Sequence, residues 1–190
     1  MMTKNASWPA AGKDWTLFLD RDGVINERPP GDYVRNIEGF KWLPGVLDAL
    51  ARLVNVFGRI IVITNQQGVG LGLMSQDQLD LVHQYMNDTI IKSGGKLDAV
   101  ICCTMLRHEM NNCRKPSIRM ALQAKEMFPE IDFGKSVMVG DTESDILFGK
   151  NAGMITVLVG NEDSSIVPDF KLNSLVEFTD IMTKSSEQQL

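Results

Sequence analysis

Short aliphatic and β-branched runs punctuate the chain, and the stretches between them carry apolar residues at helical spacing. Residues 16–19, 60–64, 97–102, 136–140 and 155–159 read as strands. Their near-continuous apolar character suits a parallel sheet covered on both faces. Residues 43–53 are apolar at 43, 46, 47, 50 and 53, which predicts a helix. Ser75-Gln-Asp-Gln78 is a capping box, and the helix it opens runs to about Lys92, where Gly94 and Gly95 stop it. Residues 116–128 form the next expected helix, with Pro116 at an allowed early position. A short helix follows the fourth strand and ends near residues 149–153. A last one covers 176–182, and the polar end from Lys184, like the first 14 residues, is expected to lie at the periphery or fray. The order β-α-β-α-β-α-β-α-β with right-handed crossovers gives an α/β fold: a doubly wound, Rossmann-like parallel sheet of about five or more strands with helices on both faces. One domain over residues 1–190 with its core at about 15–160 is expected. Ligands of such sheets bind beyond the carboxyl ends of the strands.

Composition sharpens this picture modestly. The 190 residues are 44% hydrophobic and 23% charged, with 19 Lys+Arg against 24 Asp+Glu and a net charge of −5. That excludes a disordered or low-complexity chain, and the acidic balance argues against nucleic acid or a membrane surface as partner. No apolar run approaches a membrane span, and the first 15 residues hold no apolar signal core. Three cysteines are too few for a disulfide scaffold. They are expected as small apolar residues in a reducing cytoplasm.

The residues that carry chemistry fall at the strand ends. Asp20-Arg-Asp22-Gly23 follows the first strand, and Gly140-Asp141-Thr-Glu-Ser-Asp145 follows the fourth. Carboxylates gathered at one sheet edge form a hard oxygen site suited to Mg²⁺. Asp145 also fits the first turn of the following helix, where acids are favoured. Thr64 offers a hydroxyl after the second strand, and residues 65–70 form a loop of amides and glycines able to present N–H groups to an anion. Arg114-Lys115-Pro116 supplies two cations suited to neutralising phosphate. His83 reads as a polar-face helix residue and His108 as a loop residue. Met120 and Met127 read as core filler, and Trp8, Trp15 and Trp42 as packing residues.

Taken together, Phe18-Leu-Asp20-Arg-Asp22-Gly-Val-Ile-Asn26, Ile63-Thr64-Asn65-Gln66, Cys113-Arg114-Lys115-Pro116 and Val139-Gly-Asp141 resemble the four motifs of haloacid dehalogenase-superfamily phosphatases. Their wording is most similar to heptose-1,7-bisphosphate 7-phosphatases and histidinol-phosphate phosphatases. The resemblance implies a Mg²⁺-dependent phosphomonoesterase acting on a small sugar phosphate. Asp20 would be the nucleophile that forms an aspartyl-phosphate, and Asp22 the acid and base. Thr64 and Lys115 would hold the phosphoryl oxygens. Asp20, Asp141 and the main-chain carbonyl of Asp22 would hold Mg²⁺. Arg21, Asn65 and Arg114 would face the substrate, with the loop 27–31 beside them. Heptose bisphosphate is the first expectation and histidinol phosphate the alternative. A silent phosphate-binding protein is disfavoured, because Asp20, Asp22, Lys115 and Asp141 are all in place.

The chain departs from the family at one loop. Heptose phosphatases carry a zinc site of the form Cys-x-His followed by Cys-x-Cys before Arg-Lys-Pro. The matching stretches here are Cys103-Thr-Met105 and Asn111-Asn-Cys113, so two of four ligands are in place and no zinc is expected. An improvised site would have to draw on Cys102 or Cys103, His108 and Cys113. The distances between motifs leave no room for a separate cap domain, so selection of substrate falls to loops such as 27–35 and 103–112.

Overall fold

The computed structural model describes residues 8–162 and 164–187. Six parallel strands form one sheet in the order β3-β2-β1-β4-β5-β6. They are β1 (Thr16–Leu19), β2 (Arg59–Asn65), β3 (Ala99–Cys103), β4 (Ser136–Gly140), β5 (Ile155–Val159) and β6 (Phe170–Leu172). The helices are α1 (Val46–Leu53), α2 (Gln67–Gly70), α3 (Gln76–Lys92), α4 (Arg119–Met127), α5 (Glu143–Ala152) and α6 (Leu175–Glu187). None is long and apolar enough to cross a membrane.

Alternation along the strands sorts side chains to two cores. Leu17, Leu19, Ile60, Val62, Val137 and Val139 pack with residues of α1, α3 and α6. Phe18, Ile61, Ile63 and Met138 pack against residues of α4 and α5 on the other face. Burial on both faces is why these strands are apolar without interruption. The central strand β1 pairs with β2 on one side and β4 on the other, Leu19 lying beside both Val62 and Val139. Strand order reverses at β1, so its carboxyl end is the position where such folds place a ligand.

Several boundaries differ from expectation for local reasons. Pro44 and Gly45 precede α1, and Gly45 sits at φ 74, so the helix begins at Val46 rather than Leu43. Pro116 lies in a turn closed by the Ser117 N–H on the Arg114 carbonyl, and α4 starts three residues later, at Arg119. The segment expected as a plain loop after Asn65 winds into α2. Strand β6, not anticipated, is a three-residue edge strand, too short for a periodic signal. Helix α6 continues past Lys184 to Glu187 rather than fraying there. At the other end Trp8 stacks on Phe170 with ring centroids 3.7 Å apart, so residues 8–14 do not fray; residues 1–7 and 188–190 lie outside the described ones. Met120 is buried as expected, whereas Met127 is exposed. Between Asn26 and α1, and between β3 and α4, the chain forms loops with no helix or extended strand, so the sheet edge stays open.

Candidate active site

Parallel neighbours deliver their following residues side by side. Asp20 continues β1 with its N–H donating to the Val139 carbonyl at 3.0 Å, and Asp141 follows β4. Gly23 makes this approach possible: a Cβ there would lie 1.8 Å from Asp141 Oδ2, and its φ of 91 favours glycine. A Cβ on Gly140 would likewise lie 2.1 Å from the Cβ of Asp145. Oxygens of Asp20, Asp141 and Asp145 gather within 4.8 Å of one another.

Lys115 ties this group together. Its ammonium lies 2.7 Å from Asp20 Oδ1 and 2.6 Å from Asp145 Oδ1, and donates to the Ile63 carbonyl at 2.8 Å. Among the described residues neither carboxylate oxygen has a hydrogen-bond donor beyond that ion pair. Burial works against the Lys115 charge, but Asp145 and Asp20 outweigh it and raise its pKa. Burial, only partly opposed by Lys115, pushes Asp20 up to about 6. Burial and then Asp20 push Asp141 up to about 8, although Arg28 donates to its Oδ1 at 2.5 Å. Asp145 serves helix and site at once: Oδ2 accepts from the Thr142 N–H and hydroxyl at 3.0 and 2.7 Å, while Oδ1 faces Lys115.

Asp22 is held differently. Arg21 and Asn26 donate to Oδ1 at 2.9 and 2.8 Å, and Gln66 Nε2 donates to Oδ2 at 2.8 Å. Burial alone would raise its pKa; Arg21 and these hydrogen bonds override burial and lower it. Gln66 also donates to Thr64 Oγ1 at 2.8 Å, linking β2 to this carboxylate. Arg21, expected to face the substrate, is fully buried, with its guanidinium used by Asp22 and, through Nη1, by His83 Nε2 at 3.1 Å. That corrects its assignment: Arg21 positions Asp22. Burial, then Arg21, lowers His83 to about 4, so its ring is a neutral acceptor rather than a polar-face residue. His83→Leu leaves Arg21 Nη1 without an acceptor, and urea unfolding is expected to show a loss of roughly 1–3 kcal/mol.

Two adjoining hollows open over these groups. The inner one, about 340 Å³, is lined by Asp20, Asp22, Thr64 and Lys115, with Arg28, Gly31 and Tyr33 of the loop 27–35. The outer one, about 570 Å³, is lined by Ser117, Glu143 and Leu147 among others, and shares Asn65, Arg107, Arg114, Lys115 and Ser144 with the first. Asn65 lines the wall, but its amide is engaged by the Lys115 main chain, accepting from N–H at 2.9 Å and donating to the carbonyl at 3.4 Å. It therefore braces Lys115 more than it offers itself to a ligand.

The departing loop is closed covalently. Cys103, at the end of β3, forms a disulfide with Cys113, their Cα atoms 5.7 Å apart. This corrects the expectation of three small apolar cysteines and occupies the two sulfurs that a zinc site would use. Cys102 remains free, its thiol pKa raised chiefly by burial. His108 is exposed. Asn112 adds polar closure, donating to the Leu106 carbonyl at 2.6 Å and accepting from the Arg114 N–H at 2.8 Å. Sequence reasoning gave no role to Asn26 or Gln66, and assigned the loops that carry Arg28 and Arg107 to substrate selection without singling out either arginine. The first two stand inside the quoted motifs, where a carboxylate needing donors could have drawn them out. Arg28 and Arg107 lie on irregular loops with no periodic signal.

A family model described as HAD-hydrolase-like matches residues 112–173. The D-glycero-alpha-D-manno-heptose-1,7-bisphosphate 7-phosphatase of Mycobacterium tuberculosis is 39% identical over 173 residues, covering 88% of this chain and 91% of that protein. The D-glycero-beta-D-manno-heptose-1,7-bisphosphate 7-phosphatase of Haemophilus influenzae is 32% identical, covering 88% of this chain and 96% of that protein. Among solved structures, D,D-heptose 1,7-bisphosphate phosphatase from B. bronchiseptica, complexed with magnesium and phosphate, superposes with a TM-score of 0.82 at 25% identity, over 90% of this chain and 98% of that one. Fold, strand-end carboxylates and relatives define a phosphatase of the haloacid dehalogenase superfamily. Within it, the chain belongs to the family of the heptose-1,7-bisphosphate 7-phosphatases.

Proposed function

We propose that the chain removes the 7-phosphate of D-glycero-D-manno-heptose 1,7-bisphosphate through a phosphorylated Asp20. The observation that carries this reading is the buried Asp20 at the sheet's switch point, its carboxylate held 2.7 Å from the Lys115 ammonium with Asp22 on the same turn. An Asp20 oxygen forms a bond to phosphorus as the bond from phosphorus to the sugar oxygen breaks, and Asp22 gives that oxygen its proton. Water then attacks phosphorus, Asp22 takes the water's proton, and Asp20 leaves as a carboxylate. The lowered pKa of Asp22 keeps it ionised in the resting site at neutral pH, the form that the second, proton-accepting half requires. Thr64 and Lys115 hold the phosphoryl oxygens, since phosphoryl transfer is largely positioning and charge stabilisation.

The donor set fits a hard divalent ion: three carboxylates converge, and among the described residues Oδ1 of Asp20 and Oδ1 of Asp145 have Lys115 as their sole partner. Asp20, Asp141 and the Asp22 carbonyl would hold Mg²⁺, which when bound supplies positive charge between nucleophile and phosphate. EDTA is expected to stop phosphate release and Mg²⁺ to restore it; indifference to both would remove the metal role. The substrate is tested by phosphate release from both anomers of heptose 1,7-bisphosphate, histidinol phosphate, and common sugar and nucleotide phosphates. A kcat/KM for heptose bisphosphate at least tenfold above the rest is expected, and a preference for histidinol phosphate would overturn the assignment.

A further inference from the structure

Resting on the phosphatase reading above, we infer that His83 is a positioning residue for the reaction. Acting through Arg21, it sets the plane of the Asp22 carboxyl, so that Asp22 meets first the leaving oxygen and then the water. His83 touches no reacting atom and works from behind the site, on α3.

Asp22, Arg21 and His83 form a chain of side chains. Arg21 Nη2 donates to both oxygens of Asp22 at 2.9 Å, and Nε donates to Oδ1 at 3.2 Å. Asn26 reaches Oδ1 alone, and Gln66 reaches Oδ2 alone. Among the described residues, Arg21 is thus the side chain that bonds both oxygens. A guanidinium is planar and fixes direction as well as charge. Yet Arg21 and Asp22 are neighbours on one turn, and a bond between neighbours leaves the pair free to shift together. His83 supplies the outside anchor: its Nε2 accepts from Arg21 Nη1 at 3.1 Å, across 62 positions of chain. Among the described residues Nη1 has no other hydrogen-bond acceptor.

Helix α3 is a firm base for that anchor. Ser75 and Gln78 cap its start, and Val82, Met86 and Ile90 are buried in the core that also holds Leu19 and Val62. Burial, then Arg21, keeps the His83 ring neutral, so Nε2 remains an acceptor at neutral pH. Arg21 has no exposed surface, so bulk water cannot take over from His83. Misplacing a reacting group by ~1 Å costs on the order of 10²-fold in rate, which is how a residue outside the cleft can govern turnover.

The test compares the wild type, His83→Leu and His83→Gln, each assayed below its melting temperature. Gln offers an amide oxygen at the reach of Nε2, whereas Leu offers no acceptor. The kcat/KM covers the steps up to loss of the leaving group. A sugar oxygen leaves with a proton from Asp22, but p-nitrophenolate leaves without one. For heptose 1,7-bisphosphate, or whichever member of the panel above is cleaved fastest, His83→Leu should lower kcat/KM about 10- to 100-fold, through kcat. For p-nitrophenyl phosphate the fall should stay under about threefold. His83→Gln should recover most of the loss. Inorganic phosphate should inhibit the wild type and both variants alike, because Thr64 and Lys115 hold it. Equal falls on both esters with weaker phosphate inhibition would mean damage to the whole site and overturn the inference. An undiminished rate in His83→Leu, or a Gln variant no better than Leu, would overturn it too. Each of these leaves the phosphatase reading intact. A wild type that releases phosphate from no member of the panel removes that reading, and the inference with it.

Discussion

Asp20→Asn is expected to lower phosphate release by at least ~10⁴-fold, the scale of nucleophile removal in enzymes that use a covalent intermediate. The same change should raise the melting temperature of the metal-free protein. Asp20 is pushed from 3.8 to about 6, so its ionised form is disfavoured in the folded state. A carboxyl raised in this way contributes its stability below about pH 4 and loses it as pH climbs through 6. At pH 7 the carboxylate is therefore a net cost, and a neutral amide of the same shape removes it. Activity and stability should move in opposite directions, as at sites that keep like charges close for chemistry. Phosphate release measured beside a thermal melt checks both. Turnover near the wild-type level would end the nucleophile assignment, and a large fall in melting temperature would end the account of the buried charge.

Lys115→Met should abolish turnover and also destabilise the fold by ~3–5 kcal/mol, because it leaves Asp20 and Asp145 as buried charges without a cation. Asp145 has no exposed surface, so water cannot take over. Both carboxylates raise the lysine's pKa, so the stabilisation persists across neutral pH and disappears only as pH rises through that raised value. Adding Asp145→Asn should recover much of the stability and none of the activity, a coupling that a urea-unfolding double-mutant cycle measures. Additive effects would mean that Lys115 acts on phosphate alone and does not hold the acidic group together.

The core strands were legible because a parallel strand buried on both faces leaves an unbroken apolar run; β4 and β5 match their expected limits residue for residue. The Ser75 cap was legible because Ser75 and Gln78 bond each other's main chain across one turn, a local arrangement. Strand β6 was not, since three residues at an edge carry no period. The carboxylates and Lys115 could be named from the ends of strands. Their mutual charge state could not, because it depends on burial and on bonds between residues as distant as Ile63 and Lys115. Arg21 misled for the same reason: the resemblance implied a substrate-facing arginine, and only the packing of α3 shows His83 behind it. The pairing of Cys103 with Cys113, 10 positions apart, required a loop that folds back on itself, and the aperiodic stretch between them gave no hint of that path.

That loop is closed twice over, by the disulfide and by the side chain of Asn112. The two closures act on different states. A covalent bond mainly restricts the unfolded chain, removing conformations it would otherwise visit. The amide's hydrogen bonds exist only once the loop has folded. In a reducing compartment, where thiols stay unpaired, the folded loop would keep its polar closure and its presentation of Arg114, while the unfolded chain regained its freedom. Redox conditions would then alter how readily this wall of the cleft opens, and leave its folded shape in place.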